Sequence, residues 1–406
     1  MNQKFFGATI TKLRKRNRMT QAALAKSLNV SDKAISKWET GLGYPEITLL
    51  PRIAAVFGVT IDYLITGERR GITVAGNIVI DNHKKLDGGP DKGGLNYILS
   101  MSRVASGCAV NVAVNLAKLD PSEPISVAGC VGDDENGRYA LTQMQRYNVD
   151  TGRVKITDRV PTGFSDIMSY QSGKQTVFHG RGANAMFSPE DIDIMRLGCS
   201  ILHIGAVILQ LWFERPDPEY GTLFARLLHD VQEIGIRTSV AMILSDIAKS
   251  WDKIMPALQY CNFLIINESS CKKIWDIELR DKSGKPNIPG IRVVMQRLLD
   301  VGVREKVLLH SADISFCLNR DGELTVVPAL VVPKEAVKSS VGAGDAFCAG
   351  SLFAIDHRYS DKEILEFASG VSANSMMYED ALNSNWTKQN ILSVMDRYTR
   401  YPITKG

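Results

Sequence analysis

Residues 339–355 read SSVGAGDAFCAGSLFAI. Gly342 and Gly344 flank the small Ala343 immediately before an apolar, helix-forming run. A helix that starts this way lets backbone N–H groups converge on an anion, with the helix dipole adding partial positive charge. Asp345 closes the turn and falls beside any anion held there. A carboxylate in that place repels a phosphate unless it has work to do, and accepting an alcohol's proton during phosphoryl transfer is such work. Taken alone, the GAGD string is also compatible with an ordinary tight turn before a helix.

Outward from this turn, the chain from Ile72 onward alternates strand-like apolar runs with amphipathic segments. ITVAGNIVID (72–81), ISVAGCV (125–131), SILHIGAVI (200–208), RTSVAMIL (237–244), FLIIN (263–267) and KVLLH (306–310) read as strands. Residues 109–119, 220–234, 289–301, 346–357 and 362–378 read as helices. Such alternation predicts an α/β body with a mostly parallel sheet covered on both faces, ligands binding at the carboxyl ends of its strands. The Gly-rich stretch from Asp81 to Gly107 and residues 160–180 break the alternation and are expected to form a lid.

Two further strings precede the GAGD turn. Ser106–Ala113 (SGCAVNVA) opens a helix, and Val131-Gly132-Asp133-Asp134 with Gly137 follows. In this order the three resemble the ribokinase-like (PfkB) carbohydrate kinases, over roughly residues 72–400. The resemblance implies a doubly wound, mostly parallel sheet with a small β lid, ATP and Mg2+ as cofactors, and a sugar or nucleoside as substrate. It makes Asp345 the catalytic base and Gly342, Ala343 and Gly344 the anion hole for the ATP phosphates. It places Asp81, Gly107 and Asn111 against the sugar, Asn267 near the phosphates and magnesium, and Asn374 near the adenine. No residue is implied as a direct metal ligand. The GAN run at 182–184 resembles a family stretch to which no role is assigned. Strand-end capping is the plainer reading of Asp81 and Asn267.

The chain departs from that family's pattern in four places. Ser270 stands where Asn-x-x-Glu carries its glutamate, with Glu268 nearby but out of register; a hydroxyl lacks the charge that helps position hydrated magnesium. The glycine-containing turn that often contacts nucleotide reads His310-Ser311-Ala312-Asp313-Ile314-Ser315. Ser339-Ser340 replace an Asp-Thr pair, which puts a monovalent-cation site in question, and Ser106 replaces a glycine. The base and the anion hole remain.

Residues 1–70 have a different character. They hold 12 basic and 5 acidic residues, whereas the remaining 336 hold 36 and 39, so the formal net charge of +4 averages a basic head and a mildly acidic body. Phe6, Ile10 and Leu13 recur at helical spacing; Thr20 and Ser31 can cap two short helices joined by Asn29-Val30. Thr48 is expected to cap a fourth helix, with Pro51 in its first turn and Gly58 at its end; Thr60 starts a short fifth that ends near Gly67. MTQAALAKSLNVSDKAISKWETGLGYPEI, followed by LLPRIAAVFGVTIDYLITGE, is similar to the Xre/Cro helix-turn-helix domains. That resemblance puts the third helix in the major groove of double-stranded DNA. Asp32, Lys33, Ser36 and Lys37 then point at base edges, and Gln21, Arg14 and Lys15 lie near phosphates. A solvated charged surface, or a helix-turn-helix used for protein contacts, is the blander alternative.

The domain expectation is therefore a head at 1–67, a linker at 68–71 and a kinase-like body at 72–406. The roughly five residues Gly67–Gly71 reach at most about 16–18 Å, too short to decouple the parts. No run approaches the roughly 18–20 apolar residues of a membrane span, and Met1–Lys15 lacks the core of a signal peptide. Seven scattered cysteines without a CxxC pair suit a reducing cytosol and argue against a disulfide framework or zinc site. Two functional readings follow: a DNA-binding, homodimeric ATP-dependent sugar kinase, and a non-catalytic sugar or nucleotide sensor that regulates transcription.

Overall fold

The computed structural model describes residues 2–89, 95–172, 174–205, 212–242, 247–275, 277–379, 382 and 386–402. The chain divides into two compact units, Met1–Ile72 with Asp193–Ser200, and Thr73–Ile192 with Ile201–Gly406.

In the first unit, helices Gln3–Arg16, Gln21–Leu28, Asp32–Glu39, Leu50–Phe57 and Ile61–Thr66 surround a core that includes Phe6, Ile10, Leu24, Ile35, Ile53 and Phe57. Thr20, Ser31 and Thr60 each accept a backbone N–H three residues on, the N-cap bond that satisfies an orphan donor of the first turn. Thr48 does not cap. Residues Ile47–Leu49 form a 3-10 turn instead, and Leu49 leads into the helix with Pro51 in its first turn, where no amide is missed. Asp193–Ser200 belongs to this unit: Arg69 donates to the Leu197 carbonyl (2.6 Å) and the Ser200 amide to that of Gly71 (2.8 Å). Gly58, at φ +62°, lies so close to this segment that a Cβ would sit 2.4 Å from the Arg196 Cα.

The second unit carries fifteen strands among the described residues: β1 (Ile72–Ala75, its first residue counted with the first unit), β2 (Val79–Leu86), β3 (Ile98–Ser106), β4 (Ile125–Gly132), β5 (Asp150–Thr157), β6 (Gly163–Ser169), β7 (Gln175–Gly180), β8 (Ile201–Gly205), β9 (Pro216–Asp217), β10 (Gly221–Thr222), β11 (Arg237–Met242), β12 (Phe263–Asn267), β13 (Lys306–His310), β14 (Ile314–Asn319) and β15 (Leu324–Pro328). Nine of them form one sheet in the order β15-β14-β13-β12-β11-β8-β1-β4-β5. β8, β11, β12 and β13 run parallel, as do β4 and β5, while β14 and β15 add an antiparallel edge. The short β9 and β10 pair with each other. A separate four-stranded sheet, β3-β2-β6-β7, unites the two segments expected to form a lid.

The run 72–81, expected as one strand, is broken. β1 lies in the large sheet and β2 in the small one. The break is built: the Asn77 side chain accepts from the Cys108 amide, and Asn184 clasps Ile78 by accepting from its N–H and donating to its C=O, 2.8 Å each. Residues 243–244 and 206–208 of two other expected strands lie outside the described residues. Helices Cys108–Leu119 and Ala343–Asp356 pack together; the first is buried along its whole length, as its Ala/Val/Leu-rich sequence on every face requires.

Candidate active site

Helices Cys108–Leu119 and Ala343–Asp356 begin side by side. Gly107 sits before the first at φ +101°, and a Cβ there would lie 2.4 Å from the Asn77 carbonyl oxygen, so only glycine fits. Gly342 starts the second at φ +80° with no side-chain cap. The first-turn amides of that helix face outward with the helix dipole behind them, though the Ala343 N–H also leans back on the Ser340 carbonyl at 3.3 Å. Ser339 Oγ accepts from the Val341 amide and shapes the approach.

Asn111, one turn into its helix, donates from Nδ2 to Asp345 Oδ2 at 2.8 Å. Burial raises the Asp345 carboxyl pKa to about 6; Asn111 opposes the rise and the charge of Asp81 adds to it. The floor supplies that burial. Cys108 and Cys348 are buried thiols pushed upward by desolvation and by Asp345, and His203 is buried, pushed down to about 3, hence neutral. A carboxylate near pKa 6 is mostly ionised at neutral pH yet basic enough to take a proton, the compromise a general base needs.

Two cavities adjoin the start of the second helix, one at Asn111 and Gly342 and the other at Ala343 and Gly344. The smaller is lined by Asp81, His83, Ser106, Asn111, Gly342 and Glu379, and no lysine or arginine is among its described lining residues. The larger, about 560 Å³, runs from Ala343 and Gly344 past Asn267, Ser269 and Lys272 to an apolar end at Ala329, Leu330, Ala373 and Met376. His310, stacked on Phe347 with centroids 4.6 Å apart and pushed down to about 4 by burial, is a neutral wall.

The predicted residues thus fall into three sets. Asp345, Asn111, Asp81 and Gly342 are brought together, with Gly107 behind them. Asn267 lines the larger cavity and also caps the helix Glu268–Trp275, its Oδ1 accepting from the Ser270 amide (2.8 Å) and the Ser269 hydroxyl (2.9 Å). Asn374 is buried, its Nδ2 without a partner, and the cavity wall beside it is Ala373. Sequence reasoning missed His83 and Glu379, whose approach depends on tertiary packing. It also left Asn184 without a role; its strut to Ile78 spans 106 positions of sequence.

The larger cavity fits a nucleoside triphosphate, with an amide cradle at one end and an apolar slot at the other. It fits a direct protein-bound Mg2+ poorly. Ser270 is fully buried, and Glu268, the carboxylate among the described lining residues, is held in a bidentate pair by Arg280. An ion would have to ride on the nucleotide's own phosphates.

In the head, Asp32, Lys33 and Lys37 are exposed and Ser36 is half-buried on the helix Asp32–Glu39. Arg14 and Gln21, expected near phosphates, are committed internally: both donate to Glu39, Arg14 as a fork with bonds of 2.6 and 2.9 Å. Glu39 lies on the third helix, so the half-buried ion pair fixes the first helix to it and the Gln21 hydrogen bond fixes the second.

Comparison with known proteins agrees with both units. A family model described as pfkB family carbohydrate kinase matches residues 70–388, and a helix-turn-helix model matches residues 10–64. A ribokinase of Schizosaccharomyces pombe is 26% identical over 281 residues, covering 68% of this chain and 82% of that protein. The HTH-type transcriptional activator BcrR of Enterococcus faecalis is 44% identical over 81 residues, 20% of this chain and 39% of that one. The solved structure of Arabidopsis thaliana ribokinase complexed with ribose and ATP superposes with a TM-score of 0.66 at 18% identity, covering 81% of this chain and 99% of that one.

Proposed function

The chain belongs to the pfkB family of carbohydrate kinases, with a helix-turn-helix head fused to it, and from that premise we propose that it transfers the γ-phosphoryl group of ATP to a primary hydroxyl of a sugar, nucleoside or related polyol and binds DNA in response to that ligand. The observation that carries the reading is the Asn111–Asp345 hydrogen bond at an uncapped helix start that borders both a polar crevice of about 20 Å³ and the cavity of about 560 Å³.

Asn111 holds Asp345 Oδ2, leaving Oδ1 for the substrate hydroxyl. As that oxygen bonds to the γ-phosphorus, the bond from phosphorus to the β–γ bridging oxygen breaks, ADP leaves, and the hydroxyl proton passes to Asp345 and then to water. The first-turn amides and dipole of Ala343–Asp356 meet the charge that develops on the transferring group. Magnesium, carried by the nucleotide, would neutralise phosphate charge. Asp81 and Glu379 suit hydroxyl donors, and the absence of a cation among the described lining residues favours an uncharged polyol over a sugar phosphate. Asp32, Lys33, Ser36 and Lys37 are the proposed DNA-reading residues, Gln21 helping to hold their helix in place.

A coupled ATP assay over a panel of sugars and nucleosides, in the presence of Mg2+, tests the enzyme. Turnover on one substrate, lost in Asp345→Asn, is the expected result. The occupied Glu268 and buried Ser270 favour a second reading, a sensor that binds ligand without turnover. Saturable binding with no turnover on any panel member would establish that reading instead.

A further inference from the structure

The departure at Ser270, with Glu268 out of register beside it, and that in the turn 310–315 look in sequence like two independent losses. In the structure they share one partner. Arg280 donates through Nε and Nη2 to both Glu268 oxygens (2.7 Å each), through Nη1 and Nη2 to both Asp313 oxygens, through Nη2 to Ser311 Oγ (3.1 Å) and through Nη1 to the Gly284 carbonyl (2.9 Å). Ser311 closes the turn by donating to Asp313 Oδ1 at 2.9 Å. Glu268, Ser311 and Ala312 all line the larger cavity, Glu268 at the start of the helix after β12 and the other two just after β13.

We infer that Arg280 is a positioning residue for the nucleotide: its guanidinium ties together the two walls of the triphosphate cavity and halves the negative charge that Glu268, in the lining, and Asp313, in the turn beside it, would otherwise set near a polyanion. This rests on the reading of that cavity as a nucleotide site. A planar five-donor fork can bond both oxygens of two carboxylates at once, which the three donors of a lysine cannot do. The excursion that carries Arg280 is pinned as well, with Arg280 bridging to Pro286 in antiparallel register. The turn is thereby pinned, and the Arg280–Glu268–Asp313 cluster carries one net negative charge instead of two.

Removing the guanidinium leaves Glu268 in the cavity lining and Asp313 in the adjoining turn without their cation, so the loss should scale with ligand charge. Isothermal titration of the full chain with ATP, ADP and adenosine reads this directly. In Arg280→Met, ATP affinity is expected to fall about tenfold or more, ADP less and adenosine hardly at all. Adding Glu268→Gln and Asp313→Asn to that variant should restore ATP binding. The double variant Glu268→Gln/Asp313→Asn, which keeps Arg280, should bind ATP more tightly than wild type and covers the case in which Arg280→Met fails to fold. Equal losses for ATP and adenosine, no recovery in the triple variant, or unchanged ATP affinity in the double variant would each overturn the inference. If the wild type binds no ATP, the nucleotide reading of the cavity falls with it; if wild type binds and Arg280→Met binds equally, only this inference falls.

Discussion

Replacing Asn111 with alanine should move the acid limb of the kinase's pH profile upward. Asn111 Nδ2 donates to Asp345 Oδ2 at 2.8 Å and so stabilises the ionised carboxylate, holding its pKa to about 6 against burial and against Asp81. A hydrogen bond to a charged group contributes about 1.5–3 kcal/mol, and each 1.36 kcal/mol is one pKa unit. Water entering the vacated space recovers part of this, so a rise of about one unit is expected. The sign is fixed: the variant loses a partner of the charged form, so its base is protonated at a higher pH. The assay is kcat at saturating sugar and ATP between pH 5 and 9, because Asn111 also lines the crevice proposed to meet the substrate, and its loss is then expected to raise KM. Near pH 8.5 the variant should approach its own plateau, and near pH 6.5 it should lose most of its rate. An acid limb unmoved from wild type, whatever the drop in plateau, would refute the reasoning.

The raised pKa of Asp345 also costs stability: its ionised form is disfavoured in the folded state above about pH 6, and the cost vanishes below the unfolded value of 3.8. Asp345→Asn should therefore melt a few degrees higher than wild type at pH 8 and gain nothing near pH 3.5, as differential scanning calorimetry would read. Lys33→Ala and Lys37→Ala should each weaken operator binding by about 1–3 kcal/mol and relax base preference at the positions they read, with unchanged circular dichroism of the head. Glu39→Gln leaves the Arg14 fork half-satisfied in a largely buried place; a loss of about 1–3 kcal/mol is expected, read as a lower head melting midpoint. Asn184→Ala removes both bonds to Ile78 and should destabilise the junction between the two sheets, read as faster amide exchange at residues 76–80.

Local chemistry was legible wherever a few consecutive residues carry it. The caps Thr20, Ser31 and Thr60 and the glycine ends Gly58 and Gly67 depend on neighbours within four positions, and the structure places them as expected. The alternation of strand and helix from Ile72 onward likewise yields an α/β body, because apolar periodicity is a property of short windows. Thr48 was misjudged because a 3-10 turn and a capped α start share the same composition over three residues.

The residues of the site were legible by type and turn, and their pairing was not. That Asp345 follows two glycines at a helix start is written in residues 339–355; that its carboxylate meets Asn111 depends on two helices packing across 234 positions. The break at Gly76–Ile78 was read through, since the polar partner that stabilises it, Asn184, lies in a distant segment. Ser270 with its out-of-register Glu268 and the turn 310–315 are separate departures in the sequence, and one guanidinium joins Glu268 to Asp313 in the structure. In each case what a residue can donate, accept or bury follows from its side chain and nearest neighbours and is readable along the chain. Which partner it meets follows from the packing of distant segments, because burial sets both the cost of an unpaired charge and the distance at which another can relieve it.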